Sequence, residues 1–250
     1  MKKFISGSTL KIWAMIFMVI DHLGQVVLKN GIILNAPYSM FTDEQFDILL
    51  SASNTCHILG RIAFPIFCFL LVEGFYHTND LKKYILNLAF FAVVSEPIYD
   101  LAFVETLFSL QQQNVLFTLL LGLIVLTIVK RFNKNVIISF VTIVIGAYIS
   151  WLCNLDGGYY GIILISVFYL FYDMPTLKCI VSILVMYICG LDFSINGFVD
   201  FYFLMAVMSL LLISMYNGKR GIKMKYFFYC FYPGHLLVLY FISLVFIKMI

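Results

Sequence analysis

Apolar residues in this chain gather into nine runs, at positions 10–28, 56–76, 84–103, 115–129, 136–152, 159–172, 177–191, 199–216 and 226–249. A membrane helix needs about 20 mostly apolar residues, so the pattern predicts an all-α polytopic protein of about nine transmembrane helices. The sixth and seventh runs are short enough to be tilted or partly re-entrant. The longest connection, 29–55, holds Asp43, Glu44 and Asp47 among apolar pairs, which predicts an external loop carrying a short interfacial helix. Neither an internal repeat nor a linker interrupts the pattern, so residues 1–250 read as one domain.

Composition sharpens this reading. Of 250 residues, 63% are hydrophobic and only 12% charged, and the mean hydropathy is +1.01. Too few polar groups remain to cover a water-facing surface, which excludes soluble, disordered and nucleic-acid-binding classes. A formal charge of +3 is too small to imply a polyanionic partner. The basic residues work better as topology markers. Placing the N-terminus in the cytoplasm puts Lys2, Lys3, Lys11, Lys82, Lys83, Lys130, Arg131, Lys134, Lys178, Lys219, Arg220, Lys223 and Lys225 on one face, 13 of the 16 basic residues. The C-terminus is then outside, and the setting is a bacterial inner or plasma membrane. The first run carries Asp21 and His22 and no small-residue cleavage site follows, so it reads as a retained span. The six cysteines lack CxxC spacing, and neither a metal site nor a disulfide is expected from them.

Ionisable side chains inside a bilayer are costly and mark candidate sites. Here they are Asp21, His22, Arg61, Glu73, Glu96, Asp100 and His235. The alternating direction of the spans puts Asp21, His22, Arg61, Glu96 and Asp100 in the outer half of the membrane. Glu96 and Asp100 are four residues apart on one helix face, with Pro97 between them expected to kink the helix, so a cation such as Arg61 should sit opposite. The bland alternative is that these groups only tie helices together. Asp156 in the Asp156-Gly157-Gly158 turn reads either as a site residue or as a helix N-cap. Tyr232-Pro233-Gly234-His235 should interrupt the last span and present a histidine to a cavity. Glu73 and His77 mark the inner end of the second span, where an ordinary interfacial role suffices for His77.

These residues stand in a recognisable order. Ile20-Asp21-His22-Leu23-Gly24, then Leu59-Gly60-Arg61-Ile62-Ala63-Phe64-Pro65 leading into Glu73-Gly74-Phe75-Tyr76-His77-Thr78, then Ser95-Glu96-Pro97 with Asp100, Asn114 with Phe117-Thr118, the turn at 156–161 and Tyr232-Pro233-Gly234-His235 resemble the TraX family over nearly the whole chain. Its founding members acetylate the N-terminus of pilin, and the family looks like a branch of the multi-span acyltransferases. The resemblance implies acetyl transfer from acetyl-CoA to an amine or hydroxyl acceptor, a peptide, glycan or small molecule, at the outer side of the membrane. His22 would be the catalytic base, with Asp21, Arg61, Glu96 and Asp100 around it. His235, Asp156, Glu73 and Asn114 would contact substrate. Lys11, Lys82, Lys83, Lys219 and Arg220 would hold the phosphates of the donor near the inner face. No metal is required. Two other classes compete: a proton-coupled carrier, since charges within spans also build proton relays, and a membrane scaffold of a secretion or conjugation system.

Overall fold

In a computed structural model, described over residues 3–190, 200–223 and 225–249, ten α-helices follow one another: α1 Gly7–His22, α2 Asp43–Gly60, α3 Ala63–His77, α4 Leu81–Val104, α5 Val115–Arg131, α6 Val136–Leu152, α7 Gly158–Leu170, α8 Pro175–Gly190, α9 Phe201–Ser214 and α10 Lys225–Met249. No strand occurs among the described residues. Lys2 and the span boundaries expected at 191 and 199 lie outside them. Four helical stretches among them are long and apolar enough to cross a membrane: Gly7–Ile33, Asp43–His77, Leu81–Val104 and Tyr226–Lys248.

The distribution of side chains is inverted relative to a soluble bundle. Helix α6 buries Ser139, Gly146 and Ser150 and exposes Val136, Ile137, Phe140, Val144, Ile145 and Tyr148. Small residues inside and large apolar ones outside are what a lipid solvent selects, because helices gain by close approach and apolar surface needs no cover. Ser95, Ser182 and Ser209 are likewise fully buried on α4, α8 and α9.

Helix starts follow local chemistry. Ser6 caps α1, Thr42 and Gln45 form a reciprocal capping box at α2, and Asp80, Asn114, Asn135 and Asp200 accept from first-turn N–H groups of α4, α5, α6 and α9. Two expected boundaries move. The first helix does not stop at 28: α1 runs on without a break into an 11-residue π-helix, Leu23–Ile33, and α2 begins at Asp43. The connection expected over 29–55 therefore shrinks to residues 34–42. Asn30 shows why the chain stays helical past Lys29, because its side-chain amide donates to the Phe103 carbonyl at 3.1 Å and its polarity is satisfied against the end of α4. The second expected span, 56–76, is broken at Arg61 and Ile62 between α2 and α3. Pro65 has no N–H for the Arg61 carbonyl, and its ring crowds that carbonyl, so the helix restarts after it. By contrast α4 continues through Pro97 and α10 through Pro233, so the last span is not interrupted there.

Close glycine contacts set the position of α1. A Cβ on Gly60 would lie 2.3 Å from Cβ of Asp21, and one on Gly24 would lie 2.6 Å from Cβ of Cys56. Ser53 adds a buried hydrogen bond to the Gly24 carbonyl, 3.0 Å. At its other end α1 is tied to the segment after α9, with Gly7 N–H donating to the Lys219 carbonyl and Ser8 N–H to that of Arg220.

Candidate functional site: two cavities along three helices

Two cavities lie along the bundle, of about 590 and 580 Å³. Each falls within the few hundred to about 1,000 Å³ typical of ligand sites. Helix α1 lines the first with Gly7, Ser8 and Lys11 and the second with Met18, Asp21 and His22. Helix α3 runs the opposite way, lining the second with Ala63 to Pro65 and the first from Leu70 to His77. At 1.5 Å per residue, Lys11 and His22 are about 16 Å apart along α1, so the cavities are stacked end to end.

The first cavity is basic with an acidic floor. Lys11, Lys83 and Arg220 line it together with Glu73, His77 and Asp80. Lys11 lies over the Phe228 ring, 4.5 Å from its centroid. Buried Glu73 accepts from Tyr216 Oη at 2.9 Å, while His77 Nδ1 donates to the Glu73 carbonyl at 2.9 Å.

The second cavity holds three histidine and carboxylate arrangements, and hydrogen-bond direction separates their roles. Nδ1 of His235 faces the Phe231 carbonyl at 2.8 Å. A carbonyl only accepts, so that nitrogen carries the proton and, in the neutral ring, Nε2 is an acceptor. His22 Nδ1 sits 2.7 Å from His235 Nε2 and must donate to it. His22 Nε2 thereby keeps its lone pair, on a ring that is packed edge-on by Phe103 and lines the cavity.

His57 is wired the other way. The Arg61 guanidinium can only donate, so His57 Nε2, 2.5 Å from Nη2, accepts, and His57 Nδ1 gives its proton to the Asp21 carboxylate at 2.6 Å. The Gln25 amide lies 3.1 Å from the same Nδ1. Both nitrogens of His57 are engaged, whereas one nitrogen of His22 is open. Tyr202 closes this side, with the Arg61 guanidinium 5.5 Å from its ring centroid and His57 edge-on at 5.7 Å.

Asp156 lines the same cavity from the turn before α7. It does not cap α7: the N-cap is Gly157, in the left-handed region at φ 88°, where a side chain would also strike Phe64. The Asp156 backbone is held by Thr118 Oγ1 and Gln113, which leaves its carboxylate to Gln112 and the cavity. Burial pushes that carboxyl up to about 6, helped by the Asp21 carboxylate and opposed by Arg61, the Gly157 N–H and His57.

The TraX protein family model matches residues 6–243. The chain belongs to the TraX family. It is also 29% identical over 252 residues to the probable fimbrial assembly protein FimC, serogroup H1, of Dichelobacter nodosus, with 94% of each chain covered. No solved structure matches this TraX chain.

The expected site residues of this TraX protein divide into three places. Asp21, His22, Arg61 and Asp156 share the second cavity, with His235 directly behind His22. Glu73 lines the first, as do Lys11, Lys83 and Arg220; Lys82 and Lys219, also expected there, do not line it. Glu96, Asp100 and Asn114 line neither cavity. They form a buried knot in which Asn114 donates to Glu96 through both its backbone and its side chain, and the Ser109 N–H donates to Asp100 at 2.8 Å. Arg61 is accordingly not the cation that answers this carboxylate pair: their partners are amides, and the guanidinium is on His57.

His57, Tyr202 and Asp200 were missed. A signal for His57 existed, since it stands four residues before Arg61 and so shares its helix face.

Proposed function

We propose that this protein is an integral membrane acyltransferase that moves an acetyl group from acetyl-CoA to an amine at the opposite side of the membrane, with nine spans, a cytoplasmic N-terminus and an external C-terminus. The observation that carries the reading is the open Nε2 of His22, held in that state by the chain His22, His235 and Phe231 carbonyl at the wall of a cavity. Cation-bearing groups in the first cavity, Lys11, Lys83 and Arg220, suit the phosphates of the donor. Three carboxylates in the second cavity, Asp21, Asp156 and Asp200, against one guanidinium, suit an amine that arrives protonated.

In this scheme His22 Nε2 takes the proton of the amine as its nitrogen attacks the thioester carbonyl. Arg61 lines the same cavity and supplies donors for the oxygen that becomes negative. When the carbon–sulfur bond breaks, the imidazolium returns its proton to the departing thiolate, so no net proton is left on the protein. Throughout the cycle His235 Nε2 accepts from His22 Nδ1, which suits both the neutral and the charged ring.

The test is His22→Ala. Acetyl transfer should fall by roughly 10²- to 10⁴-fold, the usual contribution of a positioned base, while thermal stabilisation of the purified protein by acetyl-CoA persists. A folded variant that binds acetyl-CoA and acetylates at the parental rate would remove His22 from the chemistry. A second reading has the printed name of the Dichelobacter nodosus relative behind it: a membrane scaffold in fimbrial assembly. It expects His22→Ala to leave assembly intact and acetyl-CoA to give no stabilisation.

A further inference from the structure

The two cavities have separate linings except at one place. Among the described residues, only Phe67 lines both. It stands on α3 between the segment that lines the second cavity and the segment that lines the first, at the level where α5 passes from Val115, in the second, to Leu116, in the first. Its sequence neighbours Ile66 and Cys68 are fully buried, whereas Phe67 itself is half-buried. The backbone is thus locked into the core on both sides, and the motion left to the ring is rotation about its side-chain torsions.

Position and freedom together make Phe67 a door. The basic groups of one cavity and the open nitrogen of His22 in the other are separated by about 16 Å along α1, so a donor anchored at the first must extend its acyl end past Phe67 to reach the second. We propose that the Phe67 ring is the gate between the donor and acceptor cavities, closed at rest and turned aside when the acyl thioester passes. This inference rests on the acyltransferase reading for what passes, and on the cavities alone for the existence of the gate. Closure has a chemical purpose. With the gate shut, water in the acceptor cavity has no access to a waiting thioester. With it open and no amine present, water can attack the carbonyl carbon, His22 takes a water proton, the carbon–sulfur bond breaks and the proton returns to the thiolate, giving acetate and free thiol.

Cys189 is a built-in reporter, because it lines the second cavity and is free and half-buried. In the full chain with the other five cysteines changed to Ala, the probe is an anionic, membrane-impermeant methanethiosulfonate applied to inverted and right-side-out vesicles in turn. On the face carrying the basic cavity, Phe67→Ala should speed Cys189 modification at least about tenfold, as expected when an open state populated at a tenth or less becomes the only one. Phe67→Leu should fall between, and Phe67→Trp should slow modification below the parent. Purified Phe67→Ala should also release thiol from acetyl-CoA without any amine, several-fold faster than the parent. Cys189 modification that ignores the side chain at 67, on both faces, overturns the gate. Modification that follows the side chain, with no thiol release and no stabilisation by acetyl-CoA in any variant, leaves the gate standing and overturns the acyltransferase reading instead.

Discussion

Replacing His235 tests whether tautomer control, rather than bulk packing, makes His22 a base. In the parent, the Phe231 carbonyl fixes the His235 proton on Nδ1 and His235 Nε2 accepts from His22. The hydrogen bond between two neutral rings is worth about 0.5–1.5 kcal/mol net, which at RT of about 0.59 kcal/mol biases His22 toward the Nδ1–H form by roughly 2- to 12-fold. Removing that acceptor in His235→Ala should lower acetyl transfer by about the same factor, far less than His22→Ala. It also leaves a buried N–H without a partner, at a cost of about 1–3 kcal/mol in stability, visible as a lower melting temperature. His235→Gln separates the two effects, because a glutamine oxygen can reach the place of Nε2 and accept from His22 Nδ1. The assay is the initial rate of acetylation of a short synthetic peptide with a free N-terminal amine, from labelled acetyl-CoA, with melting temperature measured in parallel. A glutamine variant as slow as the alanine variant, while as stable as the parent, would refute the tautomer argument. So would an alanine variant as inactive as His22→Ala and still folded.

Gly60→Ala should destabilise the protein by about 1–3 kcal/mol, as overpacking does, because its Cβ would fall 2.3 Å from Cβ of Asp21; an unchanged melting temperature would mean α1 and α2 can part without loss. Charge removal at Lys83 and Arg220, which line the basic cavity, should weaken acetyl-CoA binding more than removal at Lys82 and Lys219, which do not, and equal effects in a titration would point to a general surface field. Asp156 should be a carboxylate above about pH 6 and protonated below it, so the KM for the peptide amine should rise as pH falls through that value, and Asp156→Asn should flatten that limb; a limb unchanged in the asparagine variant assigns the titration elsewhere.

How much of this was legible depends on distance along the chain. The sixth helix, Val136–Leu152, coincides with an expected run because Asn135 caps it and Cys153 ends it, both local events. The break at Arg61 and Ile62 was also written locally, in Pro65 four residues on, but an otherwise continuous apolar run concealed it. The contact of His22 with His235 spans 213 positions, and no periodicity reports a pair that far apart. The opposition of Arg61 to Glu96 and Asp100 failed for an energetic reason. Backbone and side-chain amides of Asn114 and Ser109 satisfy those carboxylates without importing a charge, and the histidine on the same helix as Arg61 was nearer. Apolar patterning reports which residues meet lipid; which polar residues meet one another is decided by glycine contacts such as Gly60 with Asp21 that only the assembled bundle reveals.

The π-helix that follows His22 makes residue count, more than residue type, the sensitive variable in that stretch. Its looser i to i+5 bonding places Gly24 against Cys56 on α2 and Gly31 against Ser243 on α10. Deleting a single residue between them would let the segment tighten into ordinary α-helix with its backbone hydrogen bonds intact, yet would turn everything beyond the deletion by about 100°. Only one of the two glycines could then keep its neighbour. Substitutions along Leu23–Ile33 should therefore be absorbed position by position, while a one-codon deletion would cast the histidine loose from either α2 or α10.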